Sequence, residues 1–167
     1  ILLSYTDRQV QIELNVSEQT YENQGFRGSI KLISKVVEGK YPNFKQVIPK
    51  DNFKSAMVER ELMLECVSRA SLIADERITL RIKNKEMEIT GQSILGDACE
   101  NMPIDYEGEE ATVSFNPKFI QDPLRCVKKD NITLEFRDDM SPGVFKINPK
   151  EKEQANLLCV VMPIRTD

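Results

Sequence analysis

The sequence predicts an α+β fold in which a strand–helix–three-strand unit occurs twice. Two observations carry this prediction. Hydrophobic residues switch between alternating and helical spacing in the same order in both halves of the region after residue 52. The two predicted helices also begin at matching points, near Glu61 and Pro117, which are 56 positions apart. Repetition of that order indicates internal duplication of one supersecondary unit.

The first unit begins with the strand-like stretch KSAMVE at 54–59. The stretch RELMLECVSRASLIA then places Leu62, Cys66, Ala70 and Ile73 at helical spacing, which predicts an amphipathic helix. RITLRIKN and KEMEITG alternate apolar and polar residues around a turn at 83–85, so they predict a hairpin. A third extended piece at 94–106 completes the unit.

The second unit repeats this order, starting from the strand ATVSF at 111–115. Asn116 and Pro117 then form a good N-cap followed by a first-turn proline. The helix KFIQDPLRCVKK carries Ile120, Leu124 and Val127 on one face, and Pro123 predicts either a kink or a restart capped by Asp122. NITLEFRD, GVFKIN and LLCVVMPI supply its three strands.

The first fifty residues predict three strands, ILLSYT, RQVQIELNV and SIKLISKVV, with no helix to cover them. Such a sheet would leave an apolar face and an open edge exposed. We therefore expect residues 1–50 to be the truncated C-terminal part of one domain, and residues 51–167 to be a complete second domain.

Composition limits the possible functions. The chain of 167 residues is 40% hydrophobic and has no histidine, so catalytic triads that use histidine are excluded. Its four cysteines, at positions 66, 99, 126 and 159, are too widely spaced for zinc, and we expect free thiols in a reducing cytoplasm, buried at 66, 126 and 159. A net charge of −4 still allows a local basic stripe.

The apolar ending, LLCVVMPIRTD, is unusual for a chain terminus. A run of this kind suits a strand buried on both faces, or a strand whose second face is kept for a partner. Both possibilities remain open on this pattern alone.

Four stretches in register resemble the bacterial DNA sliding clamp family, the beta subunit of the replicative polymerase. They are KVVEGKYPNFKQVIPK at 35–50, SRASLIADE at 68–76, VSFNPKFIQDPL at 113–124 and CVVMPIR at 159–165. The resemblance implies the clamp fold, with antiparallel sheets outside and the two helices on one face. It covers the end of a middle domain and a whole C-terminal domain.

The same resemblance implies a processivity factor of DNA replication, located in the cytoplasm, with no catalysis, cofactor, metal or membrane contact. Clamps of this family form head-to-tail homodimeric rings around duplex DNA, which they hold without reading its sequence. Polymerase, clamp loader and repair proteins dock short peptides of the Gln-x-x-Leu-Phe kind into one pocket. The partners implied for the full-length protein are therefore duplex DNA and these peptides.

Residue by residue, the resemblance implies three sites. The partner-peptide pocket would contain Pro42, Val47, Asn116, Phe119, Met140, Val160, Met162, Pro163, Ile164 and Arg165. Leu72 and Ile73 would lie at the subunit interface. The helices facing DNA would carry Arg60, Arg69, Lys118, Arg125, Lys128 and Lys129, whose charge can follow phosphates.

Two competing hypotheses stay open at this point. Asp138 and Asp139, with Asp97 and Glu100, could be ligands of a magnesium-dependent phosphodiesterase, although Asp is common in hairpin turns. Alternatively, the chain could be a free-standing peptide-binding module of clamp fold that does not encircle DNA. We also expect that the 167 residues by themselves do not close a ring.

Overall fold

The computed structural model describes residues 1–16, 28–51, 54–74, 76–127, 130–147 and 157–165. These fall into two compact units, Ile1–Pro42 and Asn43–Asp167. The domain limits predicted near residue 50 remain a prediction.

The first unit is an antiparallel sheet of three strands, as predicted. Its strands are β1 (Leu2–Tyr5), β2 (Gln9–Val16) and β3 (Gly28–Lys35), in the order β1-β2-β3. Leu3 lies opposite Ile12, and Ile12 lies opposite Leu32, so apolar side chains share one face. Leu3 and Leu32 are exposed within this unit.

The second unit contains the duplicated pattern. Its elements are β4 (Lys54–Glu59), α1 (Arg60–Ala70), β5 (Ile78–Lys83), β6 (Glu86–Ser93), β7 (Gly96–Pro103), β8 (Ala111–Phe115), α2 (Pro117–Cys126), β9 (Asn131–Phe136), β10 (Gly143–Ile147) and β11 (Leu157–Val161). A short 3-10 turn, Phe44–Gln46, precedes them. The α+β fold class, with two helices and antiparallel sheets, is confirmed.

The two halves of this unit exchange their first strands. One sheet has the order β11-β10-β9-β4 and the other has the order β7-β6-β5-β8. Strand β4 of the first half thus pairs with β9 of the second half, and β8 pairs with β5 in return. Neither sheet is complete without a strand from the other half.

A second reciprocal contact follows from the same symmetry. The segment after β7 bonds to β4, because Met57 and Asp105 exchange two backbone hydrogen bonds, each 2.9 Å long. The segment after β11 bonds to β8, where the Ile164 amide donates to the Ser114 carbonyl at 2.8 Å. Both segments therefore cross from their own sheet to the neighbouring one.

The two helices pack against each other inside the unit. Near one end of the pair, the Arg60 guanidinium donates to the Leu124 carbonyl at 3.3 Å. Near the other end, the Gln121 amide donates to the Ser71 hydroxyl at 3.1 Å. The start of α1 thus lies by the end of α2, as expected for antiparallel neighbours.

The buried stripe of α1 is shifted by part of a turn from the predicted one. Met63, Cys66, Val67 and Ala70 are buried, whereas Leu62 and Ile73 are only half-buried. In α2 the prediction is more accurate, since Ile120 and Leu124 are fully buried. The Asn116 side chain accepts from the Lys118 amide at 3.0 Å, which confirms the predicted N-cap.

The helix α2 continues through Pro123 to Cys126, so no second helix begins there. Pro123 has no amide hydrogen to donate to the Phe119 carbonyl, one turn earlier. The restart capped by Asp122 is therefore wrong.

Helix α1 and the turn after it approach the sheet closely at Gly91 in β6. A methyl group added at this position would lie 2.7 Å from the Ala74 side chain and 2.8 Å from the Ala70 carbonyl oxygen. We predict that Gly91→Ala lowers the free energy of unfolding by about 1–3 kcal/mol, because one partner is backbone that cannot rotate away. Urea denaturation followed by circular dichroism measures this change.

The matched control is Gln92→Ala, which alters the adjacent, exposed position of the same strand. It should change stability by no more than about 0.5 kcal/mol. Equal stability of Gly91→Ala and Gln92→Ala would contradict the close approach of α1 to β6.

Candidate functional site

Strand β11 forms the edge of its sheet and is not buried on both faces. It pairs with β10 on one side only. Val161 is buried, but Leu158 is 44% exposed and Val160 is half-buried. The apolar ending is therefore not a doubly buried strand, and within this unit part of its apolar surface is open.

A groove lies between this edge strand and helix α2. It has a volume of about 560 Å³ and is almost entirely apolar. The helix contributes Phe119, Asp122, Pro123 and Cys126, which recur every three or four residues and so share one face. The strand and the residue after it contribute the opposite wall: Leu157, Leu158, Cys159, Val160, Val161 and Met162.

A second depression of about 370 Å³ lies on the other side of Met162. Its walls come from three distant parts of the sequence, and Met162 is the residue that both concavities share. The second set of lining residues is Gln46, Val47, Pro49, Lys50, Asp51, Arg137, Ser141, Pro142 and Met162. Because Met162 is 60% exposed and flexible, its thioether can adapt to either side.

The chain after β11 is held in place by its backbone. The bond from the Ile164 amide to Ser114 anchors it next to the start of α2. Pro163 and Ile164 are half-buried, and Arg165 is exposed. This anchor sets the position of Met162, because only Pro163 separates the two residues.

The structure brings together part of the predicted pocket. Phe119, Val160 and Met162 line the groove, and Val47 and Met162 line the second depression. Asn116 caps α2 beside the anchored tail, and Met140 is exposed on the turn that forms one wall of the second depression. Pro42 belongs to the first unit, so its place in the pocket remains a prediction.

The turn at 137–142 is organised by one carboxylate. Asp138 Oδ1 accepts from the amides of Met140 at 3.0 Å and Ser141 at 2.7 Å. Its Oδ2 accepts from Arg137 Nε at 2.9 Å. Hydrogen bonding by Ser141, and then by Arg137, lowers the pKa of Asp138 to about 2.

These bonds give Asp138 a structural task, which weakens the hypothesis of a magnesium site. Within the described ranges, His, Cys, Asp and Glu side chains form no group of three or more that could hold a metal ion. Asp138 instead shapes the wall of the second depression.

The predicted DNA-facing cations are in different environments. The Arg60 side chain is only 14% exposed, pairs with Glu61 and bonds to α2. Arg69 makes ion pairs with Glu100 at 2.8 Å and with Glu65 at 3.6 Å. On α2, Lys118 and Arg125 are exposed, and Arg125 donates to the Gln121 side chain at 2.8 Å.

Lys128 and Lys129 lie outside the described residues. Leu72 is exposed and Ile73 is half-buried in the turn after α1, so their role at a subunit interface stays a prediction.

Sequence reasoning missed several groove residues on α2. Asp122, Pro123 and Cys126 line the groove with Phe119, and Cys126 is exposed rather than buried as predicted. The signal was their spacing with Phe119, which defines a second helical stripe beside the core stripe. The pattern of apolar residues alone could not reveal what this stripe faces.

Comparison with known proteins identifies the family. Residues 45–165 match the family described as DNA polymerase III beta subunit, C-terminal domain. The chain belongs to this family.

Individual relatives agree with this assignment. The Beta sliding clamp of Caulobacter vibrioides is 28% identical over 166 residues, which is 92% of this chain and 41% of that protein. A Beta sliding clamp of Staphylococcus epidermidis is 30% identical over 145 residues, 83% of this chain and 37% of that protein. The chain thus spans about 40% of the length of the curated relatives that it matches.

Solved structures show the same fold. The DNA polymerase III beta subunit of Thermotoga maritima is 27% identical, with a TM-score of 0.72 over 99% of this chain and 41% of that chain. The beta subunit of Caulobacter crescentus has a TM-score of 0.74 at 24% identity, over 98% of this chain and 40% of that chain. Neither helix among the described residues has the length and apolar character needed to cross a membrane.

The lowered pKa of Asp138 generates a testable dependence of stability on pH. Since its pKa is about 2 in the folded chain, below its ordinary value of 3.8, the unfolded chain binds the proton more tightly. The contribution of Asp138 is therefore fully present above about pH 4 and is lost as the pH falls toward 2. The variant Asp138→Asn keeps an acceptor oxygen but not the charge. We predict that its stability lacks the part of the pH dependence that Asp138 contributes.

Denaturation midpoints of the unaltered chain and of Asp138→Asn between pH 6 and pH 2.5 test the prediction. Asp139→Asn is the control and should keep the pH dependence of the unaltered chain. Identical profiles for the unaltered chain and Asp138→Asn would contradict the assigned role.

Proposed function

We propose that the chain is the C-terminal part of a DNA sliding clamp, and that its second unit binds short linear peptides of replication proteins at Met162. The observation that carries this proposal is the position of Met162, which is exposed between two concavities of one unit. An adaptable apolar side chain shared by two depressions suits a peptide with two neighbouring apolar anchors.

The chemistry of the walls supports the same proposal. The groove offers an aromatic side chain, Phe119, and the apolar Leu158 and Val160, which together can bury an apolar anchor. The second depression adds Val47 and Pro49 with charged groups, Lys50 and Arg137, at its border. Arg165, exposed after the anchored tail, is a donor for a polar group of the peptide.

Within the proposed function, the clamp tethers a polymerase by topology and by peptide contacts, and the chain has no catalytic task. Duplex DNA would be held by phosphate contacts without base readout. Lys118 and Arg125 are the exposed cations of α2, seven residues apart and therefore on one side of the helix. A replication function places the protein in the bacterial cytoplasm.

The peptide site is tested by Met162→Ala. We predict that this variant binds a labelled Gln-x-x-Leu-Phe peptide more weakly by about 1–3 kcal/mol, because a Met-sized apolar contact is lost. Fluorescence anisotropy titration of the 167-residue chain measures the affinity. The same comparison of Met162→Ala with the unaltered sequence in the full-length protein includes any part of the pocket that lies outside these 167 residues.

Ile94→Ala is the matched control, since Ile94 is a fully exposed apolar residue of the β6–β7 turn and lines neither concavity. It should leave the affinity unchanged. If Met162→Ala and the unaltered chain bound the peptide equally, the proposed site would be wrong.

The proposed DNA contacts have a different signature. We predict that Lys118→Ala and Arg125→Ala in the full-length protein each weaken DNA binding equally for unrelated sequences. Each should also flatten the slope of log affinity against log salt by about one unit. The control is Lys85→Ala. It removes a cation of the β5–β6 turn that is paired with Glu107. Unchanged slopes for both α2 variants would refute these contacts.

A further inference from the structure

The groove contains two cysteines, one on each wall. Cys126 is the last residue of α2 and is exposed. Cys159 lies in the middle of β11 and is half-buried. Both line the same apolar groove. The other two cysteines lie elsewhere, with Cys66 buried in α1 and Cys99 in β7.

The direction of the two walls brings the cysteines to the same end of the groove. The anchored tail places the end of β11 near the start of α2, since Ile164 bonds to Ser114 just before the Asn116 cap. Cys159, five residues before Ile164, interacts instead with Asp122 and Cys126, which lie further along α2. Cys159 accordingly lies opposite the last turns of the helix.

The electrostatics of Cys159 agree with this placement. Burial raises the pKa of the Cys159 thiol, and the Cys126 thiol and the Asp122 carboxylate raise it further. Asp122 and Cys126 are one turn apart on α2, so Cys159 interacts with both ends of that turn.

We propose that Cys126 and Cys159 are a redox-sensitive pair, and that hydrogen peroxide converts them to a disulfide that ties α2 to β11 and closes the groove. Its effect on peptide binding rests on the function proposed above. Disulfides in cytosolic proteins are usually transient and redox-sensing, which fits a pair that is free when the site is in use.

The chemistry balances in two steps. The more accessible Cys126 thiolate attacks one peroxide oxygen, the O–O bond breaks, and Cys126 becomes a sulfenic acid as water leaves. The Cys159 sulfur, giving up its proton, then attacks the Cys126 sulfur, the S–S bond forms, and the S–O bond breaks to release a second water. Two electrons pass from the sulfurs to the peroxide, and the two thiol protons end in water.

A disulfide between Cys126 and Cys159 would weaken peptide binding because of where it lies. A disulfide requires Cα atoms within about 7 Å, so it would hold the last turn of α2 and the middle of β11 at that separation. The space between those elements is the groove of about 560 Å³. A peptide side chain and the disulfide therefore compete for the same space.

Hydrogen peroxide treatment of the 167-residue chain tests the proposal directly. Tryptic digestion without reductant should yield the fragment beginning at Cys126 joined to the fragment carrying Cys159, with a mass two hydrogens below the sum. Dithiothreitol should separate them. Absence of this cross-link, or a dominant cross-link through Cys66 or Cys99, would overturn the proposal.

Peptide titration provides the second readout. Oxidation should weaken binding of the Gln-x-x-Leu-Phe peptide by at least about tenfold, or about 1.4 kcal/mol, and reduction should restore it. Cys126→Ser and Cys159→Ser should each abolish this response, whereas Cys99→Ser should keep it. If oxidation weakened binding equally in Cys126→Ser, the pair would not be the switch.

The two proposals fail in different ways. If the reduced chain did not bind the peptide, the proposed function would fail, while the cross-link would still decide the redox pair. If the reduced chain bound the peptide but no cross-link between Cys126 and Cys159 formed, only the redox proposal would fail.

Discussion

The reciprocal exchange of strands β4 and β8 is the constraint on which the rest of the second unit depends. Each half of the duplicated sequence contributes three strands to its own sheet and one strand to the other sheet. Each helix directly follows an exchanged strand. The exchange therefore brings α1 and α2 next to each other, and the two helices pack together. The unit can then bury a single core, which contains Phe115, Phe136 and Phe145 among its largest side chains.

The same symmetry explains why the chain ends on apolar residues. After β7, Asp105 crosses to the edge of β4, and after β11, Ile164 crosses to β8. The first crossing lies inside the domain, with Ile104 and Tyr106 buried around it. The equivalent crossing at the end leaves Met162 exposed between two depressions. The same kind of crossing is thus packed in the first half and leaves an exposed apolar side chain between two concavities in the second half.

Helix α2 shows how ten residues serve three environments. Ile120 and Leu124 face the core, and Phe119 and Pro123 face the groove. Lys118 and Arg125 are exposed to solvent. On α1 the exposed face is used differently, since Arg69 bonds to Glu100 on β7 through two nitrogens at 3.0 and 2.8 Å. These bonds hold the helix to the sheet, and the Arg69 charge is already paired. The duplicated halves therefore keep one fold while their surfaces have diverged.

The sequence by itself determined the duplicated order of elements, because the period of apolar residues changes from two to about 3.6 wherever a strand gives way to a helix. It also determined the N-cap at Asn116 and the core positions Ile120 and Leu124, which depend on neighbours within one turn. Spacing cannot show what the remaining stripe of α2 faces, or that Cys126 is exposed, since both depend on β11, which follows about thirty residues later. Only the tertiary structure decided that segments 46–51, 137–142 and 157–162 converge at Met162, because strand pairing across the two halves creates those contacts.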